Sequence, residues 1–151
     1  MSAGADSAGG RRRRAARVLL FDDRDAVLLF HEVSRPDRAG WWYTPGGELE
    51  PGETEVEAAR RELLEETGYA AESLTRLGRH WANNGVARAE VVVFLARELL
   101  EDTTEDQELE GITEVSTYSW SDVRRMVRDG TISDSESVGA LMLAAIELGW
   151  A

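Results

Sequence analysis

The sequence predicts an α+β fold in which helices pack on a mixed β-sheet as an α/β/α sandwich. Short apolar runs rich in β-branched and aromatic residues lie on both sides of one strongly helical segment. The chain of 151 residues is long enough to bury one core, and it shows neither an internal repeat nor a composition shift that would mark a second domain. A single domain with separate strands and helices follows.

Strands are predicted before and after the helical segment. Residues 17–21 and 26–30 are apolar runs separated by four charged residues, which predicts a hairpin with a polar turn. Further strands are predicted at residues 41–44, 48–50, 74–81, 87–96 and 114–120, with a turn at residues 83–85. The acid-rich stretch 98–110 is expected to be an exposed loop.

Three helices are predicted. The strongest covers residues 54–67 and ends at Gly68, with Val56, Ala59 and Leu63 on one face. A short helix at residues 121–128 is capped by Ser121. The last helix covers residues 134–148, and its predicted apolar face contains Val138, Leu141, Met142 and Ile146.

Charge and composition limit the partners. Residues 1–14 are predicted to be a disordered tail before a folded domain at 15–151. With 17 basic and 29 acidic residues the formal charge is −12, which argues against nucleic-acid binding. Cysteine is absent and no apolar stretch approaches membrane-spanning length, so we expect a cytoplasmic protein without a membrane partner. Homodimer formation is left open.

Three acidic residues near the end of the main helix need an explanation. Glu62, Glu65 and Glu66 stand at i, i+3 and i+4, so they share one face. Like-charged pairs at these spacings each cost roughly 0.2–0.5 kcal/mol, and negative charge at a helix C-terminus is further disfavoured by the helix dipole. Carboxylates are the ligands that Mg²⁺ and Mn²⁺ prefer. The alternative is a solvated acidic face without a metal.

The segment before this helix favours the metal interpretation. Gly46 and Gly47 follow Pro45 and provide backbone that can approach phosphate oxygens or turn a carbonyl toward a metal. An ordinary turn would explain a pair of glycines equally well. A glycine segment that leads into a helix with three glutamates is more specific. Arg61 can bridge to Glu57 or Glu65 and so fix the cluster.

The spacing of these residues resembles the Nudix box, G-x5-E-x7-R-E-U-x-E-E-x-G-U, where U is a bulky apolar residue. Gly47 and Glu53 are followed at the correct intervals by the run from Arg61 to Tyr69. Tyr69 departs mildly, because an aliphatic residue is more usual at that position. The resemblance implies the Nudix-type sandwich and a hydrolase that uses Mg²⁺ or Mn²⁺.

The resemblance also implies roles for individual residues, and it leaves the general base open between the box helix and the acidic stretch, where a solvated acid is the alternative for each residue. The implied catalytic residues are Glu62, Glu66, Arg61, Glu108 and Glu110, with Glu105 and Glu114 as further candidates for the base. The implied metal ligands are Gly46, Glu62, Glu65 and Glu66. The candidate substrate contacts are Gly46, Gly47, Trp41 and Arg35, while His31 and His80 are expected to be structural.

The substrate class follows less directly. Residues 94–99 and 129–134 are similar to ADP-ribose and nucleotide-sugar pyrophosphatases of the family, so a nucleoside diphosphate linked to a further group is the first expectation. A second hypothesis is hydrolysis of (deoxy)nucleoside triphosphates, including oxidised ones. A third is a nucleotide-binding sensor without catalysis, which the intact set of glutamates argues against.

Overall fold

The computed structural model describes residues 13–33, 40–82, 89–101 and 112–150, which form seven strands and three helices. The strands are β1 (Arg13–Leu20), β2 (Val27–Glu32), β3 (Trp41–Tyr43), β4 (Gly46–Glu48), β5 (Tyr69–Ala82), β6 (Ala89–Glu101) and β7 (Ile112–Tyr118). The helices are α1 (Glu55–Thr67), α2 (Trp120–Asp129) and α3 (Ser135–Glu147).

Two sheets form the framework. The first is mixed and has the order β4-β1-β6-β5, in which β1 and β6 are parallel and the other neighbours are antiparallel. The second is antiparallel and has the order β3-β2-β7. The predicted α+β fold with a mixed sheet in one domain is therefore confirmed.

The hairpin predicted between the first two strands is wrong, because β1 and β2 belong to different sheets. An isolated bridge between Phe21 and Val27 is the β-pairing that joins them. Between the strands, the Asp22 carboxylate accepts hydrogen bonds from the backbone N–H groups of Arg24 and Ala26, both at 2.9 Å, and the chain changes direction there. Both apolar runs are buried on both faces, so their pattern does not specify a partner strand.

The mixed sheet lies between two layers of the core. Ala16, Val18 and Leu20 of β1 belong to the apolar cluster that includes α1, whereas Leu19 and Phe21 belong to the cluster that includes α2 and α3. Alternate residues of one strand thus serve opposite faces of the sheet. This arrangement is the predicted α/β/α sandwich.

The predicted apolar faces of two helices are partly wrong. Val56 of α1 is 42% exposed, and Met142 and Ile146 of α3 are 56% and 61% exposed. α1 buries Ala58, Ala59, Leu63, Glu66 and Thr67, and α3 buries Ser137, Ala140, Leu141, Ala144 and Ala145. Small side chains let each helix approach closely, so the buried face is centred on them and not on the largest apolar residues.

The helix ends follow local hydrogen-bonding chemistry. α1 begins after Thr54, which forms a capping box with Glu57, and it ends at Gly68 in the left-handed conformation, as predicted. Ser119 caps α2, so the prediction that Ser121 does so is wrong by two positions. Asp134 caps α3.

Strand boundaries differ modestly from the predictions. β1 begins at Arg13, slightly before the predicted domain start, while residues 1–12 lie outside the described residues. β5 begins at Tyr69 directly after α1, and β6 extends into the stretch predicted as an exposed loop. The predicted turn at residues 83–85 lies outside the described residues. None of the helices in the described ranges has the length and apolar character needed to cross a membrane.

His80 should make stability depend on pH. Its ring packs against α3 at Gly139, and its Nε2 is buried without a hydrogen-bond partner among the described residues. Burial lowers the pKa of His80, so the unfolded chain binds the proton more readily. We expect the free energy of unfolding to fall as the pH decreases below the ordinary histidine pKa of about 6.5.

Denaturant unfolding at several pH values between about 7.5 and 5 tests this expectation. His80→Gln should remove the part of the slope that belongs to this ring, because glutamine does not titrate. His31→Gln is the matched control and should keep that slope, since His31 lies in the other sheet and hydrogen-bonds Thr113 at 2.7 Å. An unchanged slope in His80→Gln would show that other groups cause it.

Candidate active site

Three glutamates of α1 lie at different depths. Glu66 is 7% exposed, and the side chains of Glu62 and Glu65 are 13% and 30% exposed. No basic residue lies in the last turn of the helix to balance them. Glu62 and Glu66 are thus largely removed from water, which argues against the alternative of a solvated acidic face for these two residues.

Arg61 is the cation that organises this acidic cluster. Its Nε and Nη2 donate to the two carboxylate oxygens of Glu53 at 2.8 and 3.0 Å. Its Nη1 donates to Glu62 Oε1 at 2.8 Å and to Glu65 Oε2 at 3.3 Å, and Nη2 also reaches the Glu48 carbonyl oxygen at 3.1 Å. The planar guanidinium group thus fixes three carboxylates at once.

Interactions within this cluster, together with burial, shift the pKa values of Glu53, Arg61 and Glu62. Hydrogen bonds from Arg61 hold the pKa of Glu53 below its usual range, and Glu53 and Glu62 in turn raise the pKa of Arg61. Burial raises the pKa of Glu62, and Arg61 offsets this only in part. Glu62 is therefore a more basic carboxylate than an exposed one.

Gly46 and Gly47 of β4 bring backbone directly onto α1. The Gly46 N–H donates to Glu66 Oε1 at 2.7 Å. Gly46 has a φ of 154°, and a Cβ there would overlap the Ala16 carbonyl oxygen and the Arg17 side chain. A Cβ on Gly47 would overlap the Glu62 carboxylate. Close backbone approach therefore requires glycine at position 46, whereas a Cβ at position 47 would displace the Glu62 carboxylate.

The candidate ligand atoms of the site are all oxygens, which suits a hard divalent cation. Carboxylates of Glu62, Glu65 and Glu66, with the carbonyl of Gly46, are the oxygen ligands that Mg²⁺ and Mn²⁺ prefer. In the described part of the chain, no three acidic or histidine side chains already converge around one point. Arg61 holds Glu62 and Glu65, so metal binding requires these carboxylates to rearrange.

Sequence reasoning missed Arg17, whose side chain is 12% exposed. It lies beside a cavity of about 210 Å³ that is also lined by Gly47 and Glu136. Burial lowers the pKa of Arg17, but Glu136, Asp134 and Glu66 together raise it above the usual value. The available signal was the position of Arg17 between Ala16 and the apolar run 18–21.

A second cavity, of about 270 Å³, lies between α2 and α3. It is mostly apolar, and Trp120, Leu141 and Trp150 are among its lining residues. None of the α1 glutamates lines it. None of them lines the smaller cavity either, but Gly47, which lies against the Glu62 carboxylate, does.

The remaining predicted site residues lie elsewhere. Trp41 is in β3 and is 45% exposed, and Glu114 in β7 is exposed and accepts a hydrogen bond from Ser116 at 2.8 Å. Four candidates lie outside the described residues, namely Arg35, Glu105, Glu108 and Glu110. Their roles stay predictions, as do those of the residues described above.

Comparison with known proteins gives a consistent result. The family model described as NUDIX domain matches residues 11–138. An ADP-ribose pyrophosphatase of Bacillus subtilis (strain 168) is 33% identical over 129 residues, covering 84% of this chain and 69% of the relative. The 8-oxo-dGDP phosphatase NUDT18 of Mus musculus is 40% identical over 85 residues, which cover 53% of this chain and only 24% of that relative.

Solved structures agree on the fold. One described as an ADP compounds hydrolase has a TM-score of 0.78 at 23% identity, covering 93% of this chain and 78% of the other. A NUDIX hydrolase from Nitrosomonas europaea has a TM-score of 0.75 at 19% identity, covering 91% and 90%. At these identities the likeness supports the architecture alone.

Proposed function

Because the chain belongs to the NUDIX domain family and is a pyrophosphohydrolase, we propose that it cleaves the phosphoanhydride bond of a nucleoside diphosphate linked to a further group. ADP-ribose or a nucleotide sugar is the first substrate class. Members of the family generally require a divalent metal ion, and we propose Mg²⁺ or Mn²⁺ for this one.

The packing of Gly46 and Gly47 against Glu66 and Glu62 supports this proposal most directly. It brings hydrogen-bonding backbone and two buried carboxylates to one place, and Gly47 also lines a partly polar cavity. A solvated acidic helix would need neither the close approach nor the burial. The arrangement suits a site that has to hold a charged diphosphate through a metal.

Each residue of the proposed site has a separate role in hydrolysis. Glu62, Glu65, Glu66 and the Gly46 carbonyl would hold the cation, which neutralises the diphosphate and polarises a phosphoryl oxygen when bound. Arg61, fixed by Glu53, orients Glu62 and Glu65. A carboxylate accepts the proton of the attacking water while the other phosphate leaves, so no covalent nucleophile is required.

The general base has candidates in two places, the box helix and the acidic stretch, and Glu105 and Glu114 are further candidates. Glu62 combines burial with a raised pKa, although it is also a candidate ligand. Glu108 or Glu110 of the acidic stretch would serve if Glu62 binds the metal. Separate replacement of each by glutamine distinguishes them, because loss of the base lowers kcat without weakening metal binding.

A second candidate function is removal of oxidised or surplus nucleotides. The similarity to an 8-oxo-dGDP phosphatase favours it, although the chain spans only about a quarter of that relative. The products differ, because cleavage of a nucleoside triphosphate releases pyrophosphate, removal of the terminal phosphate of a nucleoside diphosphate releases phosphate, and cleavage of ADP-ribose releases AMP. The cytoplasmic location and a homodimer remain predictions.

A substrate panel tests the proposal. Purified protein with Mg²⁺ or Mn²⁺ should hydrolyse at least one nucleoside diphosphate derivative, with products identified by mass. Removal of metal by a chelator should abolish the activity, and added metal should restore it. If the protein binds nucleotides but hydrolyses none of the panel with either metal, it is a sensor and the proposal fails.

A further inference from the structure

We propose that Glu136 of α3 is a positioning residue for the Gly46–Gly47 segment, acting through Arg17 and Thr44. The inference rests on the proposed function, because it treats this segment as part of the metal site. Glu136 is distant from the box helix in sequence and belongs to none of its motifs. The proposed role follows from a series of linked contacts between Glu136 and Glu66.

The first contact joins α3 to β1. Glu136 Oε2 accepts hydrogen bonds from Arg17 Nε at 3.0 Å and from Arg17 Nη2 at 2.8 Å. The Arg17 side chain is 12% exposed and that of Glu136 is 30% exposed, so the pair is partly shielded from solvent. Asp134 caps the helix by accepting from the Ser137 N–H at 2.8 Å, which fixes the turn that carries Glu136.

The second contact joins Arg17 to the chain before the glycines. Arg17 Nη1 donates to the Thr44 carbonyl oxygen at 2.6 Å. Thr44 is fully buried, and its N–H and Oγ1 each lie 3.0 Å from Ser137 Oγ. The first turn of α3 therefore holds Thr44 directly through Ser137 and indirectly through Glu136 and Arg17.

The last contacts link Thr44 to the carboxylate of Glu66. Pro45 has a fixed φ, and its carbonyl oxygen accepts from the Val18 N–H at 2.8 Å, so little freedom remains between Thr44 and Gly46. Gly46 lies against the Arg17 side chain and donates its N–H to Glu66 Oε1 at 2.7 Å. Moving Arg17 would therefore move the amide that orients Glu66.

The ion pair is not needed to attach α3 to the sheet. Ala140, Leu141 and Ala144 already bury the helix in the core. A partly buried ion pair is weak evidence for a stabilising role, since desolvation offsets its attraction and an apolar pair of similar volume is often as stable. The contacts of Glu136 are therefore better explained by a role in orienting the Gly46–Gly47 segment than by a role in stabilising α3.

The test compares three variants of the full chain without nucleotide. Glu136→Ala removes the acceptor of Arg17, Glu136→Gln keeps an acceptor of the same size, and Glu147→Ala removes a charge from the exposed end of the same helix. Hydrogen exchange of the Gly46 amide and binding of Mn²⁺ alone, followed by electron paramagnetic resonance, are measured for each.

We expect Glu136→Ala to accelerate Gly46 exchange and to weaken Mn²⁺ binding, each about 10-fold, which is the lower range for loss of a group that orients a metal ligand. Glu136→Gln should show smaller changes of both kinds. Glu147→Ala should show neither. Exchange of core amides in β1 and β6 should stay as in the wild type.

Unchanged Gly46 exchange and Mn²⁺ binding in Glu136→Ala would overturn the proposal. Accelerated exchange throughout the core in both Glu136 variants would also overturn it, because the role would then be structural. If the wild type binds no Mn²⁺, the proposed metal function fails. Gly46 exchange still tests the positioning role in that case.

Discussion

Replacement of Glu66 by glutamine is expected to lower kcat at least about 100-fold, since a buried group proposed to hold the metal loses its charge. The fold should survive. Glutamine has the same shape, and its amide oxygen can still accept the Gly46 N–H that Glu66 Oε1 accepts at 2.7 Å. Loss of one negative charge from the crowded helix end also relieves repulsion. The free energy of unfolding should change by less than about 1 kcal/mol.

Steady-state kinetics at saturating metal and chemical denaturation measure the two quantities. Glu147→Gln makes the same substitution at an exposed position of α3 and should leave both unchanged. Near wild-type kcat in Glu66→Gln would mean that this carboxylate neither holds the metal nor assists the reaction. The proposed mechanism would then lose its central ligand.

Gly47→Ala should also remove most of the activity, by about 10- to 100-fold, while leaving the protein folded. The added Cβ would overlap the Glu62 carboxylate. That carboxylate is the end of a flexible side chain, so it can turn away at small cost to stability. Having turned away, it no longer faces the segment where the metal and diphosphate are proposed to bind.

Gly52→Ala provides the matched control. Gly52 has a φ of 79° and open space around it, so alanine there is strained but displaces nothing. We expect it to lose about 1 kcal/mol of stability and to keep full activity. The two variants should therefore show opposite patterns in kcat and in the free energy of unfolding. Full activity in Gly47→Ala would show that the position of Glu62 is unimportant.

Local chemistry made α1 predictable. Thr54 and Gly68 mark its ends by hydrogen bonds within a few residues, and the observed helix agrees with the predicted one within a residue. The glutamates of the box share a helix face because of sequence spacing alone. Their burial could not be predicted, since it depends on the approach of β4, which the chain brings in from outside the helix.

Long-range pairing explains what the sequence could not reveal. Each of β1 and β2 has one partner strand much later in the chain, β6 and β7 respectively, so the local sequence could not exclude a hairpin between them. Arg17 was overlooked for the same reason, because its partner Glu136 is 119 residues away. The apolar run next to Arg17 could single out the arginine, but no local pattern identifies its partner at that distance.

The parallel pairing of β1 with β6 has a consequence for synthesis on the ribosome. β1 has an antiparallel neighbour, β4, close behind it, but its other edge pairs with a strand that is translated only after α1 and β5. Until then the apolar strand has one unpaired edge, which is a liability for association with other chains. Non-local contacts of this kind also slow folding. A nascent chain stalled before β6 should therefore be especially dependent on chaperones.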